Sequence, residues 1–229
     1  KRQLETYMRE RGIVMGFALG GMGGNICDLM DKGLVRRLLD TQDFDTKAIE
    51  HLAAHPDKHL EISTSEYANP ANKGAYVNKL DFVVLAALEV DTDFNVNVLT
   101  GSDGVLRGAP GGHPDTAAGS KCCIIVTPLV RGRMATVCKK VVTVTTPGDC
   151  VDVVVTDYGI AVNPMRRDLV ACLDAAGIAH TTIEALQEKA YSLVGTPDEL
   201  EWEDRVIAVL EARDGTILDV VRKIKPLQI

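Results

Sequence analysis

The sequence contains no C-x-x-C pair. Its six cysteines are Cys27, Cys122, Cys123, Cys138, Cys150 and Cys172. Four of them lie in or beside apolar stretches, where cysteine behaves as a small hydrophobe. That pattern predicts reduced thiols in a cytoplasmic protein and argues against a disulfide framework. No apolar run approaches the ~18 residues of a membrane span, and no signal-peptide pattern opens the chain, so no membrane partner is expected. Positive charge is not in excess: the formal net charge is -7. That balance argues against a nucleic-acid binder that works by neutralising phosphates. A G-x-G-x-x-G fingerprint is missing too, because the early glycines fall at 16, 20, 21, 23 and 24. No internal repeat or low-complexity segment is present.

What is there can build a core. The chain has 229 residues, 46% of them hydrophobic and 25% charged, enough for one large or two modest domains. Residues 1–11 are charged, with Leu4, Tyr7 and Met8 at helical spacing, and predict a short amphipathic helix. A polar, helix-favouring start at Lys1 leads us to expect the C-terminal domain of something longer, with residues 1–11 as its lead-in.

The stretch organising the rest is residues 101–115, GSDGVLRGAPGGHPD, with five glycines, two prolines and one histidine. It lies between apolar runs at residues 80–90 and 122–130 that read as buried strands. Glycine lets a backbone approach a ligand closely, and long connections between core strands often carry function.

Residues 13–19 read as a strand, residues 20–25 as a glycine loop and residues 26–32 as a helix ended by Gly33. Strand, glycine loop and helix in that order aim backbone N–H groups at an anion. Residues 34–39 read as a second strand. Asp45 or Thr46 caps a helix running to Ala54. His51, His55 and His59 are spaced by four, but Pro56 interrupts them and no acidic ligand is suitably spaced. We therefore expect no metal, and expect histidines made partly cationic by a helix C-terminus.

Residues 81–90 look like a central parallel strand, and residues 94–99 like a half-exposed one. Residues 141–146 and 151–156 flank Pro147-Gly148-Asp149 as strand, turn, strand, with a further strand at 158–162. Helices are expected at 168–176 and at 183–194, the latter capped by Thr182. Arg213-Asp214-Gly215 predicts a hairpin. Together these elements predict an α/β fold: an open mixed, largely parallel sheet with helices on both faces. Ligands in such folds bind beyond the carboxyl ends of strands, where the loops at 20–25, 40–43, 62–72 and 108–115 are expected.

Several motifs are long and specific: RGAPGGHPDTAAGSK at 107–121, VDVVVTDYGIAVNP at 151–164, EWEDRVIAV at 201–209 and RDGTILDV at 213–220. Through them nearly the whole chain resembles the C-terminal half of the α chain of bacterial citrate lyase, the citrate CoA-transferase subunit. The resemblance implies a CoA-transferase-like fold built from two related α/β halves, of which this would be the second, residues 1–229. It also implies that the acetyl thioester of an acyl-carrier (γ) subunit, whose prosthetic group derives from CoA, gives up its thiol to citrate. Acetate leaves, and a separate lyase (β) subunit cleaves the citryl thioester. Free acetyl-CoA can stand in for the carrier. The partners implied are the N-terminal half of the same subunit, the β and γ subunits and citrate.

The same region is similar to the β half of CoA-transferases that form a covalent enzyme–CoA thioester on a glutamate. The glutamate's place falls at Gln42, with Asp43 as the alternative. An amide cannot be that nucleophile. A carboxylate of citrate can attack directly, giving a mixed anhydride that the released thiolate reopens. The protein then positions two acyl groups and stabilises an oxyanion, for which backbone N–H groups at Gly20, Gly21, Gly111 and Gly112 are candidates. His113 would either orient a thioester carbonyl or citrate carboxylate, or hold its loop through a backbone hydrogen bond. Asn69, Asn72 and Lys73 are candidates for citrate's polar groups. Ser102 is a candidate for substrate or CoA, as is Asp115, although Asp115 reads first as an N-cap of the turn at Thr116. Arg131 and Arg133 read as a solvated strand end rather than phosphate ligands. The alternative function is a non-catalytic module that binds acyl-CoA or a carrier protein, or that assembles a complex.

Overall fold

The computed structural model describes residues 2–225, which divide into two compact units, one up to Asn78 and one from Lys79. The first unit opens with α1 (Arg2–Arg11), as its helical spacing predicts. Then follow β1 (Ala18–Met22), α2 (Gly24–Asp31), β2 (Leu38–Asp43), α3 (Thr46–Ala54), β3 (His59–Glu61) and α4 (Thr64–Ala68). Strands β1, β2 and β3 form an all-parallel sheet in that order. Met8, Met22, Cys27, Leu29, Met30, Leu34, Val35, Leu38 and Ala48 make its core.

Helix punctuation here is local and chemical. The Asp45 carboxylate accepts from Ala48 N–H at 2.9 Å as the N-cap of α3. It also accepts from Gly24 N–H at 2.9 and 3.1 Å, the first turn of α2. The anion at the start of α2 is thus the Asp45 carboxylate, met by the single N–H of Gly24. Gly33, at φ +73°, stops α2. Both expected strands move: β1 starts at Ala18 rather than 13, and β2 at Leu38 rather than 34. Residues 13–17 and 34–37 meet only through a single bridge, Met15 to Val35. The ladder forms further on, so Gly20, Gly21 and residues 40–43 lie in strands rather than in loops after them.

The second unit contains β4 (Val83–Ala86), β5 (Glu89–Asp91), β6 (Val96–Asn97), α5 (His113–Gly119) and β7 (Cys123–Val126). The short strands β8 (Val130–Arg131), β9 (Met134–Ala135) and β10 (Val137–Cys138) follow. Next come β11 (Val153–Thr156), β12 (Gly159–Val162), α6 (Arg167–Ala175), α7 (Ile183–Val194), β13 (Trp202–Glu211) and β14 (Ile217–Ile224). A four-stranded sheet runs β12-β11-β7-β4, parallel except for β12. A second sheet runs β10-β5-β6, and β8-β9 and β13-β14 are hairpins.

The fold is therefore mixed α/β, and the expected single open sheet is replaced by five small ones among the described residues. The run at 81–90 is not one central strand. It breaks between β4, an edge strand with alternating exposure, and β5, which belongs to another sheet. Residues 141–146 form no strand. Gly148–Cys150 is a short 3-10 helix, and β11 turns back through Asp157 and Tyr158 onto β12. Helix α7 starts at the Thr182 cap and buries Ile183, Leu186 and Ala190, while Leu193 faces solvent. All six cysteines are free. No helix among the described residues is long and apolar enough to cross a membrane.

Candidate functional site

The first group of candidate residues gathers at the carboxyl ends of β1 and β2. The ladder there carries a bulge: Gly20 is opposite Asp40, but Gly21 is opposite Gln42. Gly20 adopts φ +112°, a conformation open to glycine and strained for other residues. A Cβ on Gly20 would sit 3.8 Å from the Tyr67 hydroxyl, and one on Gly21 would run into the Phe44 ring. Gly20, Gly21, Gln42 and Asp43 therefore do come together, with Tyr67 and Phe44 beside them, two neighbours that sequence spacing did not single out. Gln42 is exposed, and its backbone N–H donates to Asp40 Oδ1 at 2.7 Å. Asp43 has one buried carboxylate oxygen without a hydrogen-bond partner. Burial and then the Asp40 carboxyl push its pKa up.

Asn69 and Asn72 follow α4, which starts in a capping box between Ser63 and Glu66. Both amides serve the loop itself. Asn69 accepts from Ala71 N–H and donates to Ser65 Oγ, and Asn72 donates to Ser65 C=O and accepts from Gly74 N–H. Lys73 is exposed.

The histidines differ from expectation. His51 lies in the last turn of α3, His55 caps it, and the chain turns so that His59 on β3 lies back against His51. His51 and His59 are buried, and burial pulls the His51 pKa down, so the predicted partly cationic helix end does not describe it. Among the described residues, three sets have the chemistry to hold a metal: Cys27, His51 and His59; Asp31, His51 and His55; and Asp40, Asp43 and His59.

The second group belongs to the other unit. Gly112 is the N-cap of α5, and its carbonyl accepts from Thr116. Asp115 is thus in the first turn and is not the N-cap. Burial raises its pKa, against the opposing Arg213. Gly111 is exposed at φ +50° with open space where a Cβ would go. His113 is engaged on both sides. Its Nε2 donates to Ala86 C=O at 2.9 Å, which leaves Nδ1 to accept from the Thr146 hydroxyl at 2.7 Å. Burial lowers its pKa, consistent with this neutral tautomer. Of the two roles the sequence allows, these bonds are those of a histidine that holds its loop.

Ser102 donates through its N–H (2.6 Å) and its hydroxyl to Glu89 Oε1. Glu89 is fully buried, its Oε2 has no hydrogen-bond partner, and burial raises its pKa. Ser102 also lines a pocket of about 940 Å³ with Asp103, Arg133, Leu200 and Ile224. Arg131 is tied to Ala87 C=O at 3.1 Å.

Comparison with known proteins then decides the family. The profile described as "Citrate lyase, alpha subunit (CitF)" matches residues 1–224. The chain belongs to the citrate lyase alpha-subunit family. The citrate lyase alpha chains of Klebsiella pneumoniae and Escherichia coli are each 56% identical over 224 residues, 98% of this chain and 44% of theirs. This chain thus spans somewhat under half the length of those relatives. A Streptococcus mutans structure described as the alpha subunit of citrate lyase in complex with citrate superposes with a TM-score of 0.95. It is 48% identical and covers 98% of this chain and 44% of that one. RipA from Yersinia pestis, at 17% identity and a TM-score of 0.54 over 79% of this chain and 43% of its own, shares the fold.

Proposed function

We propose that this citrate lyase alpha-family chain supplies the second half of a citrate CoA-transferase, residues 1–11 leading in from the first half. The reaction exchanges acetate for citrate on an acetyl thioester, carried by the CoA-derived prosthetic group of an acyl-carrier subunit or by CoA itself. The observation carrying this reading is that the Streptococcus mutans relative, 48% identical with a TM-score of 0.95, was solved with citrate. The partners are the N-terminal half of the same subunit, the lyase β subunit and the acyl-carrier γ subunit.

Gln42 supports a route without a protein-bound thioester. It stands exposed at the end of β2, where a glutamate nucleophile is expected in thioester-forming CoA-transferases, and its amide can only donate to or accept from a substrate. A citrate carboxylate attacks the acetyl carbonyl, the tetrahedral intermediate collapses, and the carrier thiolate leaves. The product is a mixed citryl–acetyl anhydride. The thiolate then attacks the citryl carbonyl and acetate departs, so the thiol ends on citrate with no net proton change. Backbone N–H groups around Gly20 and Gly21 are assigned to the oxyanions. Asp43, whose pKa is raised by burial and then by the Asp40 carboxyl, is the alternative position for that nucleophile.

The test uses the full-length subunit with its carrier or with acetyl-CoA. Treatment with acetyl-CoA followed by borohydride should leave citrate-dependent exchange intact. Inactivation that requires acyl-CoA would establish a covalent thioester and overturn the direct route. Binding of CoA with no exchange at all would favour the carrier-binding or assembly module.

A further inference from the structure

The first unit places three metal-binding donors on three elements: Cys27 on α2, His51 on α3 and His59 on β3. All three are buried, His51 at 6% exposure and His59 at 1%. The Cys27 Sγ and one ring nitrogen from each histidine lie within 4.8 Å of one another. The histidines face each other through Nδ1 at 2.9 Å. Their far nitrogens are both engaged: His51 Nε2 lies 3.2 Å from Asp31 Oδ1, and His59 Nε2 lies 3.2 Å from Asp40 Oδ2.

An ionised carboxylate offers only lone pairs, so each Nε2 must carry the proton and donate. A neutral imidazole has one N–H. Both Nδ1 atoms then present lone pairs to each other, which is repulsive unless an electron-pair acceptor sits between them. A proton would serve, at the cost of a buried imidazolium. It would also leave Cys27 without a part. A metal ion uses all three donors.

We propose that Cys27, His51 and His59 form a site for a zinc-class divalent ion. Two imidazoles and a thiolate are a donor set that suits zinc. Tetrahedral Zn–N bonds separate two nitrogens by roughly 3.3 Å, so the rings need part by only a few tenths of an ångström. A carboxylate on the far nitrogen of each histidine fixes the tautomer and strengthens the ligand. Cys27 binds as thiolate and releases its proton on loading. Its pKa, held up at about 11 by burial, sets the cost that binding overcomes. The ion ties α2, α3 and β3 together. It also extends to the reaction residues, because Asp40 holds His59 through Oδ2 and the Gln42 N–H through Oδ1.

The experiment loads the untagged full chain with Co2+ as a spectroscopic stand-in for zinc. The expected result is about one equivalent bound, with a sulfur-to-cobalt charge-transfer band. Cys27 is the one cysteine in residues 1–78. The band should vanish in Cys27→Ser and His59→Gln and persist in His55→Gln. Binding that survives Cys27→Ser but fails in His55→Gln would put the ion on Asp31, His51 and His55 instead and overturn the proposal. Failure of the unsubstituted chain to take up cobalt, with an Nδ1 proton visible by nitrogen NMR, would overturn it too, leaving a shared proton. Should Cys27→Ser fail to fold, the wild-type spectrum decides: without a charge-transfer band there is no thiolate ligand.

Discussion

Two glycine-rich stretches of this chain look alike in the sequence and differ in what their polar groups have left to offer. Around Gly111–Gly112, the conspicuous histidine spends both ring nitrogens on the protein, on Ala86 C=O and Thr146 Oγ1. Around Gly20–Gly21, the bulged strand end sets an exposed Gln42 beside Asp43, which keeps one buried oxygen without a hydrogen bond. A satisfied polar group holds a shape, whereas an unsatisfied one is kept for a ligand or tolerated at a cost. The first stretch is thus a lock and the second the working edge of the reaction we propose, although composition alone ranks them the other way.

The largest effect should come from breaking the lock. His113→Ala leaves a carbonyl and a hydroxyl without their partner and opens a void, a loss of about 2–4 kcal/mol. Denaturant unfolding measures it. A loss below about 1 kcal/mol would mean that His113 is not structural and is available to substrate.

Gln42→Ala should do the reverse. Stability should stay within about 0.5 kcal/mol, as for an exposed side chain, while citrate-dependent exchange falls about 10- to 100-fold through lost orientation. Gln42→Glu should be worse, because it sets a like charge against citrate. Equal loss of folding and activity would erase the contrast between the two regions.

The second unit should also show opposing pH responses. The pKa of His113 is depressed below 6.5 by burial. Its contribution is therefore complete above that value and is lost as pH falls through the folded pKa. Glu89 is shifted the other way, above 4.5. Its folded state keeps a proton that the unfolded chain gives up, so stability falls as pH rises from 4.5 through the folded pKa. Glu89→Gln should reduce the decline with rising pH, to which buried Asp91 and half-buried Asp115 also contribute, and leave the acid one, which His113→Ala should reduce. Unfolding midpoints between pH 4 and pH 8, unchanged in slope for either variant, would contradict these assignments.

What the sequence made legible was local. Asp45, Thr182 and Gly33 mark helix ends, and each such effect lies within four residues. Strand positions depended on partners far along the chain. The apolar run at 13–19 predicted a strand five residues early, because the parallel ladder with β2 forms around Gly20 and Gly21. The run at 81–90 has no internal sign that its halves join different sheets. The motifs carried the family, and they set Gln42 in a loop just past a strand, whereas it lies inside β2, one residue from its end. They could not say whether His113 faces substrate or backbone, since that turns on Ala86 and Thr146, 27 and 33 residues away. The Cys27–His51–His59 cluster was hidden for the same reason: spacing by four pointed to one helix, whereas the third donor comes from α2 and His59 from β3.

The smallest effects separate the two glycines of the working edge, and crowding alone would predict their order wrongly. A Cβ on Gly21 meets the Phe44 ring and one on Gly20 meets almost nothing. Gly21→Ala should nonetheless be the milder change. Phe44 is 67% exposed, so its ring can swing into water, and Gly21 has no positive φ to strain. Gly20 stands at φ +112°, where an alanine Cβ collides with its own backbone whatever the surroundings. Strain of that kind costs on the order of 1–2 kcal/mol, against less than about 0.5 kcal/mol for an exposed ring finding another rotamer. Thermal unfolding of the two variants should show Gly20→Ala melting well below Gly21→Ala. Equal melting points would mean the bulge relaxes to admit a side chain, and the argument that Gly20 is fixed by its backbone would fail.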